Sequence, residues 1–234
     1  MDSIASQLMR GLVGYWPLAT KSAVDLQAAL YGTNVPAVLV NTNIATRADG
    51  PLNSNGAAAF ASASTQSLSV VDSALLSLAG TDFTLATWAY LTDKAARRFL
   101  IGKWSGTGTN REFFIEVDNT ADRVRANISA DGSATVSLDC DTFGSPPTTT
   151  WFYVAARHST GRNLNIWVNG FQNTAAHTTG ANNGNGGLFI GGSSEVALYN
   201  NGRQSHAGLW NRCLSDQELF WLYNNGQGRD LTHG

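Results

Sequence analysis

From Phe83 onward the chain sets apolar side chains at alternate positions in short runs, with turn residues between the runs. Phe113, Ile115 and Val117 alternate with Glu112 and Glu116. Val124, Ala126 and Ile128 alternate with Arg123, Arg125, Asn127 and Ser129. Val136, Leu138 and Cys140 alternate with Thr135, Ser137 and Asp139, and Leu164, Ile166 and Val168 with Asn163, Asn165 and Trp167. A period of two belongs to a strand that buries one face and turns the other outward. The β-prone stretches Phe83 to Tyr90, Phe99 to Ile101, Trp151 to His158, Leu188 to Ile190 and Ala207 to Trp210 extend the series. Asp131-Gly132 and Asn169-Gly170 supply the positive φ angles of tight hairpins. About a dozen strands, each with one apolar face, predict an all-β fold of two stacked antiparallel sheets.

Helix is expected in three short places. Asp72 to Leu78 reads as a brief helix ending at Gly80. Ser215-Asp216-Gln217-Glu218 has capping-box spacing, with Leu219, Leu222 and Tyr223 on one face and Asn225-Gly226 as the stop. In residues 1–10, Asp2 is placed to cap a turn carrying Ile4 and Leu8 on one side. Ten residues cannot hold a helix alone in water, so this segment reads as a docking arm ahead of one domain, residues 11–234.

Composition narrows the function classes. Charged residues are 14% of the chain and the net charge is -2, so the basic footprint of a nucleic-acid partner is missing. The polar surface comes instead from 20 Asn, 20 Ser and 22 Thr among 234 residues. No apolar run approaches the length of a membrane span. The opening residues have no basic segment followed by an apolar one, which predicts no secretory leader. Cys140 and Cys213 read as two thiols rather than a disulfide framework.

Five segments, in order, carry a family resemblance. Gly11 to Leu18 (GLVGYWPL) resembles an opening strand and Asp82 to Trp88 (DFTLATW) a central "FT-x-x-x-W" strand. Trp151 to Ala155 with Leu164 to Gly170 resembles a "W-x-x-V-A … L-x-L-Y-V-N-G" hairpin. Leu188 to Gly192 resembles "L-x-I-G-G", and Trp210 to Glu218 a closing "Y-N-R-A-L-S-D-x-E". Together they are similar to the laminin-G-like, concanavalin A-like jelly rolls, which implies a two-sheet antiparallel jelly-roll sandwich. The fold hosts lectins, adhesins and glycosidases alike, so function has to be argued from a site. The resemblance also implies calcium at a sheet rim, with Asp25 or Asp49 as one ligand. Ser205 or His206 stands where the second acid is expected, a weak set for an ion that takes six to eight oxygens.

The resembled glycosidases carry E-x-D-x-x-E on one strand. Here Glu116 and Asp118 begin that pattern, but Ala121 takes the third carboxylate's place, so no acid–nucleophile pair is expected. The histidines, His158, His177, His206 and His233, read as turn or terminal residues without metal-ligand spacing. Gly102 to Gly108 reads as a Gly-rich turn, and Asn173 to Gly187 as the most mobile-looking loop, of the kind that carries recognition or is simply of low complexity.

What remains is binding. Strand alternation puts Arg125, Asn127, Tyr153, Arg157, Asn165 and Trp167 on outward faces. If these strands share one sheet, aromatic platforms stand beside donors suited to sugar hydroxyls; the other reading of the same Trp and Tyr is that they pack under a loop. The expectation is a non-enzymatic, homo-oligomeric jelly roll that presents this face to a glycan. It is displayed on a virion or extracellular surface, assembled in the cytoplasm, and joined to other virion or surface proteins through residues 1–10. A free lectin-like carbohydrate-binding protein is the alternative, and after it a glycoside hydrolase or lyase of the same fold.

Overall fold

Asn169 and Gly170, at φ 49° and 97°, close a two-residue turn in which Val168 pairs with Phe171. That is the conformation the Asn-Gly pair favours between strands of matching twist. In the computed structural model, which describes residues 3–18, 39–43, 46–51 and 56–231, this hairpin ends the larger of two antiparallel sheets. Its strands run in the order β13 (Phe171–His177), β12 (Arg162–Val168), β11 (Trp151–Ser159), β6 (Phe83–Leu91), β17 (Gly202–Trp210), β4 (Gly56–Phe60) and β3 (Thr46–Asp49). β1 (Leu12–Trp16) pairs with the second half of β17.

The facing seven-stranded sheet has the order β10 (Val136–Asp139), β9 (Arg123–Ile128), β8 (Arg111–Asp118), β7 (Arg98–Trp104), β14 (Leu188–Ile190), β5 (Ser67–Val70) and β2 (Val40–Thr42). A small ribbon, β15 (Gly192–Ser193) with β16 (Leu198–Tyr199), follows β14.

The alternation resolves as expected on β8, β9 and β12, whereas on the edge strand β10 Val136 is exposed. Phe113, Ile115, Val117, Val124, Ala126 and Ile128 from one sheet meet Phe152, Val154, Leu164, Ile166 and Val168 from the other in the central core. Each such side chain contributes roughly 1.5–3 kcal/mol of burial.

A second core lies on the outer face of the eight-stranded sheet. There Trp88, Tyr153, Trp167 and Trp210 pack under Leu214, Leu219 and Leu222. The last two belong to α2 (Asp216–Tyr223), whose capping box is formed as the sequence predicts. Leu8 of α1 (Ile4–Leu8) is fully buried in the same cluster. Ser3, not Asp2, caps that helix through the Ser6 amide, and Asp2 lies outside the described residues. The first ten residues are thus engaged, where described, with their own domain.

Other expectations are corrected. Residues 72–78 hold one turn, closed by the Leu76 amide on the Ser73 carbonyl, and no helix. Asp131-Gly132 is not a two-residue hairpin: Ile128 pairs with Val136, and the Asp131 carboxylate holds the intervening loop through the Ser133 and Ala134 amides at 2.8 and 2.7 Å. Strands β10 and β11 do not share a sheet; the chain crosses from one to the other around Pro146-Pro147. His158, His177 and His206 are buried residues of strands, not turn residues, and His233 lies outside the described residues. Both cysteines are free. Among the described residues no helix is long and apolar enough to cross a membrane.

Candidate functional site

The outer face of the seven-stranded sheet carries a groove of about 360 Å3, at the lower end of small-ligand clefts. Parity builds it. On β8 the inward Phe113, Ile115 and Val117 leave Phe114, Glu116 and Asp118 outward, and on β9 the inward Val124 and Ala126 leave Arg125 and Asn127 outward. Gly102 pairs with Phe114, and a Cβ there would stand 2.1 Å from the Phe114 Cβ, so only glycine fits beside that residue. Phe99, Trp104, Phe114 and Phe189 form an aromatic cluster with Val196 and Leu198 packed against it. Trp104 and Phe114 sit 4.8 Å apart, ring centre to ring centre, and line the groove.

Charge over this floor is arranged in pairs. Arg97 donates two 2.7 Å hydrogen bonds to the buried Glu116 carboxylate, which also accepts from Asn127 Nδ2 at 3.0 Å. Arg125 bridges Asp118 at 2.5 Å and Asp139 at 2.6 Å. Burial alone opposes the Asp118 charge. Hydrogen bonds from the Ala121 and Thr120 amides, with the guanidinium charges of Arg125 and Arg97, overrule it and hold the carboxyl below the usual range. The Asn127 Oδ1 accepts from Ser137 Oγ at 2.6 Å. Arg111 lies over the Trp104 ring at 5.9 Å and donates to the Ser133 carbonyl.

Glycoside hydrolysis requires one carboxyl held protonated beside another held ionised. In the groove Asp118 is pushed toward ionisation and Glu116 is clamped by a guanidinium. A carboxyl pushed up to about 7 does exist, Glu112, through burial that outweighs its contacts with Lys103. It lies outside the groove, among Lys103, the Gly184 amide and, through Lys103, Asp72.

The six expected ligand residues divide three ways. Arg125 and Asn127 line the groove. Tyr153 and Trp167, at 2% and 0% exposure, are members of the second core and offer no platform, because α1 and α2 cover the face to which alternation correctly assigns them. Arg157 and Asn165 line a smaller cleft of about 240 Å3 beside the start of α2, on the opposite side of the sandwich. There Arg157 is occupied by Asn165, Leu214, Gln172 and Asp216.

Trp104 and Phe114 are the residues that sequence reasoning missed; an aromatic on the polar phase of β8, between Glu112 and Glu116, was the available signal. The expected recognition loop is in part strand β13, and its remainder is tied down: Gly184 is held by Glu112 and Lys103, and Asn182 and Asn185 by Thr109 and Asn110. For calcium, Asp25 lies outside the described residues, and no three His, Cys, Asp or Glu side chains converge among the described ones. Ser205 Oγ lies 3.1 Å from both the Pro17 and the Gly56 carbonyl oxygens and 2.6 Å from His206 Nδ1.

Residues 62–220 match the family model of the Concanavalin A-like lectin/glucanases superfamily. No curated protein matches the sequence. The fold is similar to the binding domain of Paraclostridial Mosquitocidal Protein 1, with TM-score 0.68 and 14% identity over 95% of this chain and 54% of that one. It is also similar to the botulinum neurotoxin serotype D ligand binding domain in complex with N-acetylneuraminic acid, with TM-score 0.64 and 12% identity over 95% and 52%. A third likeness is Domain 4 of AbnA, an extracellular GH43 arabinanase from Geobacillus stearothermophilus, in complex with arabinotriose, with TM-score 0.60 and 12% identity over 93% and 98%. The chain spans about half the length of the two toxin domains.

Proposed function

This chain belongs to the concanavalin A-like lectin/glucanase superfamily, and from that premise we propose that it is a non-enzymatic module that binds a glycan in the groove on its seven-stranded sheet. The observation that carries the reading is the pairing of an apolar floor, Trp104 and Phe114, with fixed polar groups on Arg97, Arg111, Arg125, Asn127 and Ser137. Sugars offer the complementary pattern of C–H faces and hydroxyls. Both groove carboxylates, Glu116 and Asp118, are engaged by arginine side chains, which supports binding over turnover. Two proteins that share this fold over all or part of their length are found in complex with sugars, N-acetylneuraminic acid in one and arabinotriose in the other, which supports the reading.

The test fills the groove from its exposed edge. Thr135 lines it and is exposed. On a glycan array Thr135→Trp should weaken the wild-type signal at least about tenfold, or about 1.4 kcal/mol, with the melting temperature unchanged. A signal that survives the substitution, or a wild type that binds no glycan, rejects the groove. For the wider setting we propose display on a virion or extracellular surface as a homo-oligomer, supported by the sequence resemblance. The native mass tests it, and a monomer favours the free lectin-like alternative.

A further inference from the structure

Three guanidinium groups line the groove, and two of them are neutralised where they stand, Arg97 by Glu116 and Arg125 by Asp118 and Asp139. The third differs. Arg111 donates from one nitrogen to the Ser133 carbonyl, lies over Trp104, and has no carboxylate partner among the described residues. Its position matters as much as its charge. Arg111 opens β8 and Glu116 lies five residues further along the strand, so their Cα atoms are about 17 Å apart at roughly 3.4 Å per residue. That separation sets the Arg111 end apart from Glu116, and the acid on the loop that Arg111 contacts, Asp131, is itself held by the Ser133 and Ala134 amides. Between the two ends stand Phe114, Asn127 and Ser137, with no charge of their own.

We propose that the groove selects glycans bearing a carboxylate, a uronate or sialate unit, and that Arg111 is the cation that seats it. The planar guanidinium retains donors for a two-point contact with the carboxylate, while Asn127 and Ser137 address hydroxyls of the adjoining sugar. The inference rests on the glycan reading of the groove and deepens it from sugars in general to acidic ones.

The experiment titrates the full chain with glucuronate-bearing and sialate-bearing oligosaccharides and with the same oligosaccharides after reduction of the carboxylate to an alcohol. Affinity is read by calorimetry and location by amide shifts of Asn127 and Ser137. At least one acidic probe should bind about tenfold more tightly than its reduced form. Arg111→Gln should erase that difference and Arg111→Lys restore part of it. In the wild type, whose folding is not at issue, the advantage should shrink between about 0.01 M and 1 M salt as the Debye length falls from about 30 to about 3 Å. Reduced forms that bind equally well and shift Asn127 and Ser137 overturn the acidic preference while leaving the glycan reading intact. An acidic preference that survives Arg111→Gln overturns the assignment to Arg111. Probes that shift neither amide remove the glycan reading and the inference with it.

Discussion

The indole Nε1 of Trp210 donates a 2.8 Å hydrogen bond to the carbonyl of Leu8, 202 positions earlier in the chain. Arg212 extends the tie, donating to the Gln7 and Arg10 carbonyls at 2.8 and 2.7 Å while also pairing with Glu218 of α2. The first helix, the last strand of the large sheet and the C-terminal helix are thereby one packed unit. Residues 3–10 therefore belong to the stability of the domain. Leu8→Ala should cost about 2–5 kcal/mol, a fall in Tm of roughly 5–20 °C for a chain of this size. Deletion of residues 1–10 should cost more. Thermal unfolding checks both, and a deletion that leaves Tm in place refutes the packing described.

Trp167 supplies a second prediction. It is fully buried, edge-on to Phe220 and Tyr223 with ring centres 5.3 and 5.7 Å away. Trp167→Ala should lower stability by about 3–5 kcal/mol while glycan binding per folded molecule stays as in the wild type. A loss of binding at unchanged Tm would return Trp167 to a surface role.

The Glu112 carboxyl gives a pH dependence. Burial, opposed by Lys103 and the Gly184 amide, lifts it from an ordinary 4.5 to about 7. Between those values the native state keeps a proton that the unfolded chain has released, so this group's contribution to stability falls as pH rises. The stability of the wild type relative to Glu112→Gln should decline from about pH 4.5 to about pH 7 and level off above. Urea unfolding across that range measures it, and a flat difference sinks the prediction.

The buried His158–His177 pair works in the opposite sense. Their ring nitrogens lie 3.1 Å apart, and His158 Nε2 is also 3.1 Å from the His177 carbonyl. Burial is the main cause that lowers both from the usual 6.5. The stability of the neutral pair is in place above pH 6.5 and is lost as pH falls, because the unfolded chain takes up protons first. Relative to a His158→Gln, His177→Gln double variant, the wild type should lose stability between about pH 7 and pH 5. A difference independent of pH would contradict it.

Local chemistry was legible at several turns and caps, though not at Asp131-Gly132 or at residues 72–78. Asn169-Gly170 forms its two-residue turn, Ser215 and Glu218 answer each other as a capping box, and the inward phase of β8, β9 and β12 is as alternation assigns it. Non-local packing was not. Alternation placed Trp167 outward on its strand, but only the tertiary arrangement shows α1 and α2 lying over that face. It likewise grouped Arg125 with Arg157, which the crossing between sheets sets on opposite sides of the sandwich. Trp104 lies within the run Gly102 to Gly108 that reads as a Gly-rich turn but begins as the end of β7, and its place beside Phe114 depends on a bulge between Lys103 and Trp104 that no local pattern announces.

The helical blanket over the larger sheet makes the two exterior surfaces unequal in what they can tolerate. Changing an aromatic beneath it threatens the whole fold, whereas exposed groups at the rim of the other sheet, such as Thr135 and Ser137, carry little of the structure's weight. Partner choice is therefore free to drift on one side of the molecule while the opposite side holds the architecture constant.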